Sequence, residues 1–193
     1  GTATERFDDT YIENCVFSGT SDLGMRQSVE YAGTYRRCTG GGNSFSGIAS
    51  GVFKECSAGG NSFANRLEAS GTFEDCVAGS SSFGGGTSTL SVASGTFKRC
   101  IAGDFSFGFY DCTGVFEDCV AESNSFGSAN VSGIFSATLK NCELTASTPS
   151  SFTGTMRGCS IRATGVNQSA LQVGTGAKIF DSTLIATGTG ESI

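Results

Sequence analysis

The chain has 193 residues, a mass of 19.7 kDa and a net charge of −6, with 38% hydrophobic and only 16% charged residues. That composition fits a folded domain rather than a disordered chain, and its sign disfavours an electrostatic hold on nucleic acid or anionic lipid. There is no His, which excludes histidine-based triads, metal sites and pH switches, and no apolar run is long enough to insert into a membrane.

After a short polar lead-in over residues 1–10, one phrase recurs: Ser-Gly-x-Phe-x-x-Cys-x-Ala-Gly-x-x-Ser-Phe. Its fullest copies run from Ser50 to Phe63, Ser70 to Phe83 and Ser94 to Phe107, with a looser copy from Thr113 to Phe126. An anchor marks each unit: Cys15, Cys38, Cys56, Cys76, Cys100, Cys119, Cys142, Cys159 and finally Ser182. The mean step is roughly 21 residues, inside the range of solenoid repeats. The unit is too short for a helix pair and lacks the Leu and Trp-Asp signatures of other repeat classes. Its Gly, β-branched and aromatic residues favour short strands joined by turns. The sequence therefore predicts an all-β fold, a single-stranded right-handed parallel β-helix of about eight to nine rungs. The repeats cover 11–187 and a tail covers 188–193, so that 1–193 form one solenoid domain.

Other columns keep step with the anchor. Three positions before it stand Ile12, Tyr35, Phe53, Phe73, Phe97, Phe116, Leu139, Met156 and Ile179. Seven after it stand Phe45, Phe63, Phe83, Phe107 and Phe126, each preceded by Ser. The ninth cysteine, Cys112, falls in a column of its own, seven before the anchor. Side chains in a straight strand alternate faces, so an anchor and the residue three before it would point to opposite sides. Both columns are apolar, so the chain must bend between them. The residue just before the anchor is Asn14, Asp75, Asp118, Asn141, Gly158 or Asp181 in six units. These types tolerate the left-handed conformation of a sharp corner; Arg37, Glu55 and Arg99 suit it less well. Stacked at about 4.8 Å per rung, Phe53-Phe73-Phe97-Phe116 and Phe45-Phe63-Phe83-Phe107-Phe126 form two core ladders beside the cysteine column.

The stretches Ile12-Glu13-Asn14-Cys15, Phe73-Glu74-Asp75-Cys76 and Leu139-Lys140-Asn141-Cys142 resemble the right-handed parallel β-helix family that includes pectate lyases and phage tailspikes. The likeness covers roughly residues 11 to 187, and in that family an Asn often occupies the tight bend between two strands. It implies architecture and carries almost nothing about activity. Family members that cut polysaccharide use carboxylates, with Ca²⁺ and Arg in the lyases and paired Asp/Glu in the hydrolases. The residues here that match such a role are Glu74, Asp75, Glu117 and Asp118, two rungs apart and so about 10 Å, near the separation of an inverting pair. Lys98 and Arg99 lie between them and should hold them ionised.

The outward column two before the anchor alternates in sign through Lys54, Glu74, Lys98, Glu117 and Lys140; Arg36 against Lys54 and Lys140 against Arg157 break the pattern. The column just after the anchor carries Val77, Ile101 and Val120, an apolar stripe that suggests contact along the rod, as in a homotrimeric fibre. Stacked anchors at rung spacing do not suit disulfide geometry, so the cysteines should be free core thiols. No cofactor or metal is expected: there is no Cys-x-x-Cys, and the Gly-rich stretches lack the carboxylates for Ca²⁺ and the Lys-Ser/Thr of a phosphate loop. Phe105, Phe109 and Tyr110 are the cluster that suits an aromatic carbohydrate platform, and the variable loops Gly84–Val92 and Gly127–Ile134 suit recognition.

Three functions follow as expectations. The first is a non-enzymatic structural and receptor-contact module of a phage tail fibre or tailspike, a homo-oligomer touching a cell-surface carbohydrate or protein. Unpaired thiols suit assembly in a reducing host cytoplasm before release in the virion. The second is a β-helical polysaccharide lyase or hydrolase. The third is a bacterial surface adhesin, extracellular or on the cell surface. Rungs without capping helices lead us to expect a fragment of a longer fibre, an oligomer, or both.

Overall fold

A computed structural model describes residues 5–17, 29–86, 90–126, 135–146, 151–163 and 172–186. Within them the chain is a parallel β-solenoid whose short strands stack into three faces, with no helix among the described residues. The first face starts at Glu5–Arg6 and continues through Val29–Tyr31, Ile48–Ala49, Glu68–Ala69, Val92–Ala93 and Asp111–Cys112. Bridges through Phe135 carry it on to Ser151–Phe152 and Gln172–Val173. The second face has nine strands from Tyr11–Glu13 to Lys178–Phe180, and the third has nine from Val16–Phe17 to Thr183–Ala186. The second and third faces have nine strands each, close to the eight to nine rungs read from the repeat. Residues 5 and 6, read as lead-in, already belong to the coil, pairing with Val29 and Glu30.

Register is like on like. Phe73 pairs with Phe53 below and Phe97 above, while Glu74 pairs with Lys54 and Lys98. What keeps the faces distinct is the corner before each anchor. All nine residues there have positive φ: Asn14, Arg37, Glu55, Asp75, Arg99, Asp118, Asn141, Gly158 and Asp181, between 49° and 63°. Arg37, Glu55 and Arg99 adopt it despite a cost of about 1–2 kcal/mol each, because a rung that failed to turn would turn its anchor outward and lose its place in the stack.

The turn brings ring and anchor into one dry interior. Phe73 stacks on Phe53 and on Phe97 at 4.9 Å with planes within 4°. The second ladder is equally regular, Phe63 on Phe83 at 5.0 Å. Between ladders the rings meet edge to face, Phe73 against Phe83 at 5.4 Å and 83°. That is the favoured geometry of aromatic quadrupoles. Each fully buried ring contributes about 1.5–3 kcal/mol. Tyr35 continues the first ladder at 4.8 Å from Phe53.

Two further devices close the rung. The x-Ser-Phe arm holds its first and third residues left-handed, as in Asn61 and Phe63 or Ser81 and Phe83. The serine between them turns inward, and its backbone N–H donates to the hydroxyl of the next serine: Ser62 to Ser82 at 3.2 Å, Ser82 to Ser106 at 3.2 Å, Ser106 to Ser125 at 3.1 Å. At the bend between the first two faces, Gly51, Gly71 and Gly95 press against the preceding rung. A Cβ on any of them would stand 2.2 Å from the carbonyl oxygen of Gly33, Gly51 or Gly71, so only glycine fits there without a shift of the stack.

Candidate functional site

The chemistry-bearing side chains gather in three places: the interior anchor column, the charged corner between the second and third faces, and the arm edge. In the interior, Cys38, Cys56, Cys76, Cys100, Cys119, Cys142 and Cys159 are buried, and Cys15 is half-buried. All are free thiols, and Cys112 is buried in the first-face column. Each anchor thiol lies within hydrogen-bonding reach of the backbone carbonyl two residues before it. Cys100 Sγ donates to the carbonyl of Lys98 in its own rung at 3.5 Å, and to Phe73 in the preceding rung at 3.5 Å. Cys76 and Cys119 repeat the pattern. Burial pushes the thiols of Cys100 and Cys112 well up, and hydrogen bonding from the neighbouring thiol raises Cys119 and Cys142 to about 12. Cys56 moves the other way, lowered by its bond with Cys76. No three His, Cys, Asp or Glu side chains among the described residues are placed to hold a metal ion.

At the corner, the four candidate carboxylates divide between two closed clusters. Arg99 donates to Glu74 at 2.8 Å and to both oxygens of Asp75 at 2.6 and 2.7 Å, and Lys54 holds Glu74 at 3.0 Å. Glu117 is held by Lys140 and by Lys98 at 3.7 Å, and Asp118 accepts from Asn141 at 3.0 Å. Arg99 keeps the Glu74 and Asp75 carboxyls below their usual range, and Lys140 does the same for Glu117. A general acid needs the opposite shift, so these groups are ion pairs standing as conjugate bases.

Between the cluster at Glu13, Asn14 and Arg37 and the one at Lys54, Glu74, Asp75 and Arg99, the row is open. Arg36 approaches Glu13 only to 3.8 Å and Glu55 only to 3.7 Å, and its buried Nε has no acceptor. Glu55 reaches Arg37 only at 3.8 Å. A depression of about 300 Å³ lies here, lined by Arg36, Lys54, Glu55, Glu74 and Asp75. The sequence signal for it was the broken alternation of sign, since Arg36 pairs in register with Lys54.

On the arm edge, Phe105 and Phe109 meet with ring centroids 5.5 Å apart and tilted by 56°, both half-buried, with Tyr110 half-buried beside them in sequence. Leu90, across the loop that began at Gly84, is exposed. The loop Gly127–Ile134 lies outside the described residues. The stripe after the anchor faces solvent, with Val77, Ile101 and Val120 all exposed. By contrast, the nine ring-ladder residues Phe45, Phe53, Phe63, Phe73, Phe83, Phe97, Phe107, Phe116 and Phe126 are fully buried.

The architecture defines the chain as a parallel β-solenoid, or β-helix. No family model matches it, and neither does any curated protein or solved structure.

Proposed function

We propose that this β-solenoid is a non-enzymatic structural and receptor-contact module of a phage tail fibre or tailspike, built in the host cytoplasm and carried in the virion. The observation that carries the non-enzymatic half is the state of the carboxylates. Glu74, Asp75 and Glu117 are each committed to a cation in the adjacent rung and held ionised, which leaves none of them poised to give or take a proton near neutrality. The rest of each repeat goes into rigidity through ring, thiol and serine ladders. The exposed stripe of Val77, Ile101 and Val120 suits lateral contact between copies in a homotrimer. The half-exposed rings of Phe105 and Phe109 suit contact with a cell-surface carbohydrate or protein.

Three measurements test this reading. Light scattering should give a mass near three chains. Incubation with a panel of capsular polysaccharides should release no new reducing ends or unsaturated products. Antibodies against the chain should decorate phage tails in electron micrographs. Sugar release would favour the polysaccharide lyase or hydrolase, and decoration of bacterial surfaces instead of virions would favour the adhesin.

A further inference from the structure

The anchor column stacks eight free thiols, seven of them buried. The strands that flank it lie rung on rung, Phe73 on Phe97 and Val77 on Ile101, so adjacent anchors are one strand spacing apart, about 4.8 Å. Neighbouring sulfurs meet: from Cys56 to Cys159 each anchor thiol hydrogen-bonds the next. Each also faces a backbone donor. The N–H of Cys142 donates to the sulfur of Cys159 at 3.4 Å, and the N–H of the preceding anchor reaches Cys76, Cys100, Cys119 and Cys142 in the same way. A donor aimed at sulfur favours the thiolate, the form that binds metal. No three His, Cys, Asp or Glu side chains among the described residues converge on one point, so zinc, which takes four ligands, finds no complete set. What the column offers at every step is two sulfurs. Metal–thiolate bonds are about 2.3 Å long in zinc sites, and two of that length in line span about 4.6 Å, close to one rung.

We infer that the anchor column is a binding ladder for copper(I), each ion held in linear two-coordination between the cysteines of adjacent rungs. Thiolates are soft ligands and select copper(I) over harder cations. Binding breaks two S–H bonds, forms two S–Cu bonds and releases two protons, with no change of oxidation state. Each filled site carries one negative charge, and the inter-rung N–H donors face it. Burial holds the free Cys100 thiol protonated at neutral pH, so uptake strengthens as pH rises. The carbonyl of Lys98, which loses a thiol donor, keeps the bond it accepts from Asp75. Eight anchors pair into at most four sites, and Cys112, in the first-face column, joins none. The sulfurs are enclosed, so the ion enters as the coil forms. The inference stands apart from the virion reading: it concerns the interior and holds wherever the rod is found.

The test is anaerobic refolding of the whole reduced chain from urea with copper(I), added as its acetonitrile complex, and removal of excess ion by desalting. About four ions should stay with each chain. The urea midpoint should rise, because an ion that prefers the folded ladder to the unfolded cysteines stabilises the fold. Zinc sulfate should not raise it. X-ray absorption should find two sulfurs and no nitrogen or oxygen around each copper. Paired variants separate a ladder from a collection of thiols. Cys100→Ser with Cys119→Ser removes two adjacent anchors and should retain about three ions. Cys76→Ser with Cys119→Ser also removes two but strands Cys100 between them, and should retain about two. Cys112→Ser should retain as many as the parent. The inference is overturned if copper leaves the midpoint unchanged or lowers it, if three sulfurs surround each ion, or if the two double variants retain the same number. Circular dichroism shows whether each variant has refolded; where one has not, the parent's midpoint and copper coordination decide the matter.

Discussion

Ser182 stands over Cys159 in the anchor column and accepts a hydrogen bond from its backbone N–H at 3.2 Å, while its own hydroxyl donates to Phe180 at 2.8 Å. In the ninth unit a hydroxyl therefore does what thiols do in the other eight. The column selects a small side chain with one donor, and sulfur is one way to supply it.

Cys100→Ser should accordingly keep the fold, at a cost within about 1 kcal/mol, because the hydroxyl can serve the carbonyls of Lys98 and Phe73. Cys100→Ala removes the donor and the packing of its sulfur while Lys98 keeps the bond it accepts from Asp75, costing about 1–2 kcal/mol. Chemical denaturation of the two variants, compared at equal m-value, measures the difference.

Only Cys15 among the nine cysteines is not fully enclosed. A thiol reagent should modify at most about one cysteine in the native protein, and all nine after unfolding without reductant. A lower count in the unfolded state would mean disulfides. Thiols this inaccessible also survive an oxidising medium, so the titration reports fold integrity more directly than compartment.

Phe73 touches ring neighbours above, below and across the core. Phe73→Ala should cost about 3–5 kcal/mol. The loss should exceed that of the same change at half-buried Phe109, where a drop below about 1 kcal/mol is expected. Thermal unfolding of the pair gives the contrast.

Glu55 holds the corner at φ 54°, a conformation that Asn adopts more readily. Its ion pairs are the long ones, at 3.7 and 3.8 Å, so little is lost with the charge. Glu55→Asn should stabilise the chain by about 0.5–1 kcal/mol, seen as a higher denaturation midpoint. Glu55→Val, β-branched and poorly suited to that φ, should destabilise it by a similar or larger amount.

The carboxyls of Glu74, Asp75 and Glu117 are held down by Arg99, Arg99 and Lys140 respectively. A group with a lowered folded-state pKa adds stability that is present above its unfolded value and lost as pH falls through the folded value. Stability should thus decline only below the ordinary carboxyl values of 4.5 and 3.8, less steeply in Arg99→Gln and less steeply in high salt. The thiols work in the opposite direction. Cys100, Cys112 and Cys119 are raised from 9.0, so their contribution is complete below pH 9.0 and drains away above it. Urea midpoints followed from acid to alkaline pH check both limbs.

The corner before each anchor was legible because it rests on parity. Two apolar columns an odd distance apart cannot share a face of a straight strand, whatever residue stands between them, and this reached even Arg37, Glu55 and Arg99. The arm was not legible. Nothing in the local preference of Phe predicts a left-handed backbone at Phe45, Phe63, Phe83, Phe107 and Phe126. That conformation is imposed by the ladder each ring joins and by the serine contacts between rungs. The glycine bend at Gly51, Gly71 and Gly95 likewise depends on the carbonyl of another rung, which no single repeat contains. Among the candidate groups, the carboxylates were found and their neutralisation by Lys98 and Arg99 anticipated, although Lys140 proves the closer partner of Glu117. The open gap at Arg36 and Glu55 showed in the sequence only as two like charges in succession, because whether a pair closes is settled by side-chain reach across the corner.

Because Phe73 meets its ladder neighbours through the same contacts on both sides, a rung in the middle of the coil does not know how many others there are. Duplicating one complete unit would add an interchangeable layer and lengthen the molecule by about 4.8 Å, with no residue elsewhere needing to adapt. Reach can therefore evolve in fixed increments, like adding links to a surveyor's chain, without disturbing what is carried on the edges.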